Sequence, residues 1–136
     1  MGAIVVPTLT GLMGSGDSGG GGGELSLYFN PACSKCRTAQ GLLVERGIDA
    51  RIVEYLVVPP SVGELRDLMG MLGIADPREM MRTGESVYAE LGLASVSGDE
   101  LLEAMAANPI LLERPIVVKD GRAVIARPPE RLLELL

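Results

Sequence analysis

Leu25-Ser26-Leu27-Tyr28-Phe29-Asn30-Pro31-Ala32-Cys33-Ser34-Lys35-Cys36-Arg37 carries a strand signal, a turn signal and a Cys-x-x-Cys pair in direct succession. The apolar run from Leu25 to Phe29 reads as a short buried strand, and Asn30-Pro31 ends it as a turn. Beyond the pair, Thr38 to Val44 reads as a helix with its apolar face on Ala39, Leu42 and Leu43. Both cysteines therefore fall in the loop and first turn of a helix fed by a strand. Free backbone N–H groups and the positive end of the helix dipole converge there, favouring a thiolate or a bound oxyanion. A thiol so placed commonly titrates below its free value of roughly 8.5 and becomes a nucleophile near neutral pH. The alternatives are two buried thiols serving as small hydrophobes, or half of a zinc site. With no histidine and no further cysteine in the chain, a metal is not expected. A Cys-x-x-Cys directly after a strand points to redox or nucleophilic thiol chemistry.

The chain has 136 residues, enough for one domain with a real core. Eighteen acidic against twelve basic residues leave a net charge of −6, which disfavours broad nucleic-acid or membrane-surface binding. An acidic protein that handles an anion must concentrate positive charge locally, so the position of each arginine is informative. Two cysteines spaced as a redox pair, with none left over, suit the cytoplasm better than a secreted disulfide scaffold. The lack of histidine removes Ser-His-Asp, Cys-His and His-metal mechanisms. No apolar run approaches the roughly 18 residues of a membrane helix. Residues 1–23 end in a Gly-rich run from Gly14 to Gly23, expected to be a disordered extension or linker outside the domain at 24–136.

After the first helix, Arg46-Gly47 supplies a stop, and Ala50 to Tyr55 reads as a second strand, which completes a βαβ unit. Three capping patterns then mark helix starts: Ser61 with Glu64, Asp76-Pro77 with Glu79, and Ser97 with Glu100. Val87 to Leu91 reads as another short helix, and methionines at helical spacing read as core filler. Pro115 to Lys119, Asp120-Gly121 and Arg122 to Ile125 form a β-hairpin signal with a type I′ turn. Pro128-Pro129 opens a final helix, Glu130 to Leu136, with Leu132, Leu133 and Leu136 on its apolar side. The order βαβ, helices, ββα is that of an α/β thioredoxin-like fold with a helical insertion between its halves. In that fold the residue before the third strand is a cis proline, which places Pro115 there.

With that order in place, the chain resembles the glutaredoxin-coupled arsenate reductase family, which also includes the Spx-type regulators. The matching pieces are Tyr28 to Cys33, Glu54-Tyr55-Leu56 with Pro59-Pro60, Met81 to Glu85 before Tyr88, Ala107 to Val118, and Ala126 to Glu130. The resemblance spans residues 25–136. It implies that Cys33 attacks arsenate and that Arg82, Arg114 and Arg127 hold the oxyanion and its reduced product, arsenite. Planar guanidinium groups suit that task, since a thiolate approaching an oxyanion meets like-charge repulsion. The resemblance further implies no bound cofactor, glutathione as co-substrate, and glutaredoxin or thioredoxin as the electron donor. Two departures stand out. Phe29 occupies a position where members of the family commonly carry histidine, and Cys36 one where many carry serine. Cys36 is thereby a candidate resolving thiol for Cys33. The competing functions are a thioredoxin- or glutaredoxin-type disulfide reductase and an Spx-like redox sensor that binds RNA polymerase.

Overall fold

The computed structural model describes residues 24–136, so the expectation for residues 1–23 lies outside the described residues. The described chain divides into two compact units, one up to Glu54 together with Arg114–Leu136, the other Tyr55–Glu113.

The first unit is built on a four-stranded sheet in the order β2-β1-β3-β4. Its strands are β1 (Leu25–Tyr28), β2 (Ala50–Val53), β3 (Ile116–Lys119) and β4 (Arg122–Ile125). β1 runs parallel to β2 and antiparallel to β3, and β3 pairs antiparallel with β4. Leu25 and Leu27 point to the buried side of β1 while Ser26 and Tyr28 are half-buried, the alternation a strand imposes. Between β1 and β2 runs helix α1, Ser34–Glu45, which buries Cys36, Ala39 and Leu43 at helical spacing. It starts four residues before the Thr38 expected from the apolar pattern, because Cys36 itself belongs to the buried face. Gly47 at φ 71 closes it, with its N–H on Val44 O and that of Ile48 on Leu43 O, a left-handed stop that β-carbon-free glycine adopts without strain. Leu25, Leu27, Ala39, Leu43, Val117, Val124, Ala126, Leu132 and Leu135 make one core, flanked by Phe29, Leu42, Ile48, Ala50 and Ile52. Asp120 (φ 53) and Gly121 (φ 77) both take positive φ, as the type I′ turn of the β3–β4 hairpin requires. With βαβ and ββα halves around β1, this is the thioredoxin-like arrangement expected.

The C-terminal segment departs from expectation. Pro129–Leu135 is a 3₁₀ helix and not an α-helix, and the buried residues are Pro129, Leu132 and Leu135, while Leu133 and Leu136 are exposed. With three residues per turn, positions three apart eclipse one another, so the apolar stripe follows that spacing.

The second unit is the helical segment between the two halves. It contains α2 (Val62–Leu72), α3 (Ser86–Glu90) and α4 (Asp99–Ala107), with 3₁₀ turns at Pro77–Met80, Leu93–Ser95 and Pro109–Leu111. Ser61 and Glu64 form the full reciprocal capping box of α2. Asp76 instead accepts from Arg78 N–H and opens only the first 3₁₀ turn, whose last residue is followed by extended Met81. The Ser97–Glu100 box does not form: α4 is entered through Gly98 (φ 62), whose carbonyl takes the N–H groups of Leu101 and Leu102. α2 packs on α4, with Leu65, Leu68, Leu101, Leu102 and Met105 buried. No helix among the described residues is long and apolar enough to cross a membrane.

Candidate active site

Cys33 is the residue at the N-terminal cap of α1, in extended conformation, its side chain half-buried. Its N–H donates to Asn30 O at 2.9 Å and its carbonyl accepts from Arg37 N–H at 3.2 Å. Cys36, one turn on, is fully buried, and both thiols are free. The loop between β1 and α1 is held by contacts that the sequence pattern does not show. Asn30, only 7% exposed, accepts Ala32 N–H on Oδ1 at 2.9 Å, an Asx-type turn, and points its own N–H at Cys36 Sγ, 3.5 Å away. Arg37 reaches back to donate from Nη1 to Pro31 O at 2.7 Å. In the sequence, Asn-Pro before a helix signals a turn; nothing in it signals which atoms the turn aims at the thiols.

The two thiols are driven apart in acidity. Burial pushes the Cys33 thiol up, but hydrogen bonds outweigh it: from the Cys36 N–H, the Cys36 thiol, the Arg114 guanidinium and the Lys35 N–H. The net is a Cys33 pKa below that of an ordinary thiol. Burial likewise pushes Cys36 up, the Asn30 N–H offsets part of this, and the neighbouring Cys33 adds to it; the outcome is a pKa of about 11. Phe29 brings no charge to this loop, and the Cys33 thiol is lowered by backbone donors, the Cys36 thiol and an arginine. At pH 7 iodoacetamide should therefore alkylate Cys33 far faster than Cys36, with the Cys33 rate falling as pH drops through its depressed pKa. Peptide mapping after partial alkylation reads this directly, and preferential labelling of Cys36 would reverse the assignment.

Arg114 belongs to the same unit and sits just ahead of Pro115, across a peptide bond that is cis; the Arg127–Pro128 bond is likewise cis. Arg114 Nε and Nη1 are buried without a hydrogen-bond partner. Orphaned donors on a charged group are costly, about 1–3 kcal/mol or more, and an anion is the ligand that satisfies them. Arg127 donates from Nη1 to Arg114 O at 2.9 Å, so it fixes the backbone from which Arg114 projects. The first unit thus brings together Cys33, Cys36, Arg114 and Arg127.

Arg82 belongs to the second unit. It directly follows an isolated antiparallel bridge, Met81 to Leu112, which is flanked by hydrogen bonds from Arg82 N–H to Leu111 O at 2.7 Å and from Glu113 N–H to Met80 O at 2.9 Å. Its side chain meets two carboxylates, Glu85 at Nε (3.0 Å) and Glu113 at Nη1 (3.4 Å). Burial lowers its pKa, but the Glu85 hydrogen bond and the charges of Glu113 and Glu85 raise it further. Both glutamates lie in stretches that match the family, Met81 to Glu85 and Ala107 to Val118, but the sequence gives no sign that they pair with Arg82. Among the described residues no cluster of three or more metal-ligating side chains occurs.

The ArsC family model matches residues 28–135. The arsenate reductase of Neisseria meningitidis serogroup A is 47% identical over 115 residues, covering 83% of this chain and 98% of that protein. The arsenate reductase of Escherichia coli K12 is 37% identical over 115 residues, covering 83% of this chain and 81% of that protein. The solved structure of the arsenate reductase from Vibrio cholerae superposes with a TM-score of 0.82 at 45% identity, covering 85% of this chain and all of that one. A match of this extent, over a thioredoxin-like sheet with the thiol at the start of α1, places the chain in the ArsC family.

Proposed function

We propose that the protein reduces arsenate to arsenite with Cys33 as nucleophile. The observation that carries the reading is the juxtaposition of an acidified thiol with Arg114, whose buried Nε and Nη1 lack a partner. The Cys33 thiolate attacks As(V) and one arsenic oxygen leaves as water after protonation, giving a Cys33–arsenic thioester-like adduct. A second thiol then attacks the Cys33 sulfur; the S–As bonding pair passes to arsenic, which leaves as As(III) arsenite, and the two sulfurs become a disulfide. Two thiols are oxidised by two electrons, and arsenic is reduced by two. Arg114 neutralises the oxyanion and lowers the repulsion felt by the thiolate. Arg127 supports it by fixing the Arg114 carbonyl, and Arg82 is assigned to the oxyanion on the resemblance.

The second thiol is glutathione in this reading, with glutaredoxin recycling the mixed disulfide. Cys36 suits the resolving role poorly: it is fully buried, and burial holds its thiol in the protonated, less nucleophilic form. A protonated Cys36 that donates to the Cys33 thiolate fits its burial better. The cytoplasm, rich in glutathione, is the compartment that supplies this chemistry.

The test is thiol consumption with arsenate, glutathione and glutaredoxin, run in parallel with thioredoxin. Arsenate-dependent turnover is expected with the first donor set, and Arg114→Ala should lower it ten- to a hundredfold, the loss of a contact of roughly 1.5–3 kcal/mol. Equal turnover in that variant removes the oxyanion role. No arsenate-dependent turnover, with brisk reduction of a protein disulfide, would replace this reading by the disulfide-reductase one.

A further inference from the structure

We infer that Glu113 is an affinity-setting residue of the Arg82 site, a carboxylate with which an incoming oxyanion must compete for the guanidinium. The inference rests on the reading that Arg82 binds oxyanion. Met81, Arg82, Thr83, Gly84, Glu85 and Glu113 line a cleft of about 300 Å³ in the second unit, room for a tetrahedral anion and several waters. Within it one guanidinium faces two carboxylates. The two contacts differ. Glu85 holds Nε at 3.0 Å from three residues along the chain; it caps α3, yet its side chain makes no capping hydrogen bond and is given to Arg82 instead. Glu113 holds Nη1 at the longer 3.4 Å, from the opposite strand of the Met81–Leu112 bridge.

Arginine recognises a tetrahedral anion best through two parallel N–H donors, one of which must be a terminal nitrogen. With Nε committed to Glu85, the terminal pair is what an anion can take, and half of that pair is engaged by Glu113. The longer contact is the one that yields. A half-buried ion pair of this kind is worth little in itself, but its cost falls directly on anything that displaces it. Glu113 therefore keeps the affinity for anions low, and neutralising it removes a competitor. Glu85 acts oppositely: it fixes the rotamer, and losing it loosens the site.

The experiment measures KM for arsenate, and the inhibition constant of inorganic phosphate as a non-reducible oxyanion, for wild type, Glu113→Gln, Arg82→Ala and the double variant. Glu113→Gln is expected to lower both constants together by about two- to fivefold, more than it moves kcat, and Arg82→Ala to raise both. In the Arg82→Ala background, Glu113→Gln should have no further effect, which a general effect on folding would not reproduce. Raised constants in Arg82→Ala with unchanged or raised constants in Glu113→Gln overturn the competition while leaving Arg82 as an anion ligand. Constants unmoved by Arg82→Ala overturn both.

Discussion

Replacing Cys33 with serine should abolish arsenate reduction, at least about a thousandfold, while leaving the fold intact. An arsenate ester on a serine oxygen is a redox dead end, since that oxygen cannot leave arsenic as one half of a disulfide and so no electrons reach As(V). The structural cost is expected to be nil or negative. Cys33 stands at the N-cap of α1 with its sulfur facing the Lys35 and Cys36 N–H groups too loosely for a regular capping bond, and serine is among the residues that cap best. The unfolding midpoint should therefore be unchanged or slightly raised. This separates chemistry from folding in one variant: turnover lost, stability kept. Residual turnover within tenfold of wild type would mean that another group attacks arsenic.

The largest effect on stability is expected at Arg78, which touches no proposed reacting atom. Its guanidinium is nearly saturated: Nε donates to Tyr88 Oη at 2.9 Å, Nη2 to the carbonyls of Leu93 (2.7 Å), Ala94 (3.1 Å) and Val96, and Nη1 lies 3.7 Å from Asp76. One side chain thereby ties the Pro77–Met80 turn to α3 and to the chain that follows it. Arg78→Ala leaves two partly buried carbonyls, those of Leu93 and Val96, and the Tyr88 hydroxyl without their donor, and a loss of about 2–4 kcal/mol is expected in urea unfolding. Arg78→Lys should recover little of it, since a point charge cannot serve this many acceptors in one plane. A loss below about 0.5 kcal/mol for Arg78→Ala would show that water replaces those bonds freely. Arsenate KM measured on the folded fraction should stay near wild type.

The sheet and first helix of the first unit were legible in the sequence because those elements carry local signals that agree with their tertiary setting. Leu25 and Leu27 alternate, Gly47 stops α1, and Asp120-Gly121 supplies both positive φ angles of the hairpin. The second unit was legible as helical but not in its boundaries. Ser97 and Glu100 have the spacing of a capping box, yet Gly98 between them offers a backbone conformation that serine cannot share, and the helix begins there. The C-terminal leucines misled for a related reason, since a 3₁₀ helix and an α-helix bury different members of the same run. At the site, the thiol pair could be read from spacing and the arginines from family resemblance. Asn30, Glu85 and Glu113 could not, because their roles consist of bonds to atoms that only the folded loop and the Met81–Leu112 bridge bring within reach.

The direction of β1 has a practical consequence for anyone attaching this protein to something else. Glu24 precedes the strand and engages Arg51 of β2 at 3.2 Å, whereas Cys33 follows the strand's other end. Four strand residues at roughly 3.3 Å each hold those ends about 13 Å apart. A fluorophore, bead or electrode linker joined at Glu24 would thus hang from the far rim of the sheet, with the thiol left open to the medium. A tether on this chain is better anchored there than at the first turn of α1, which is continuous with Cys33.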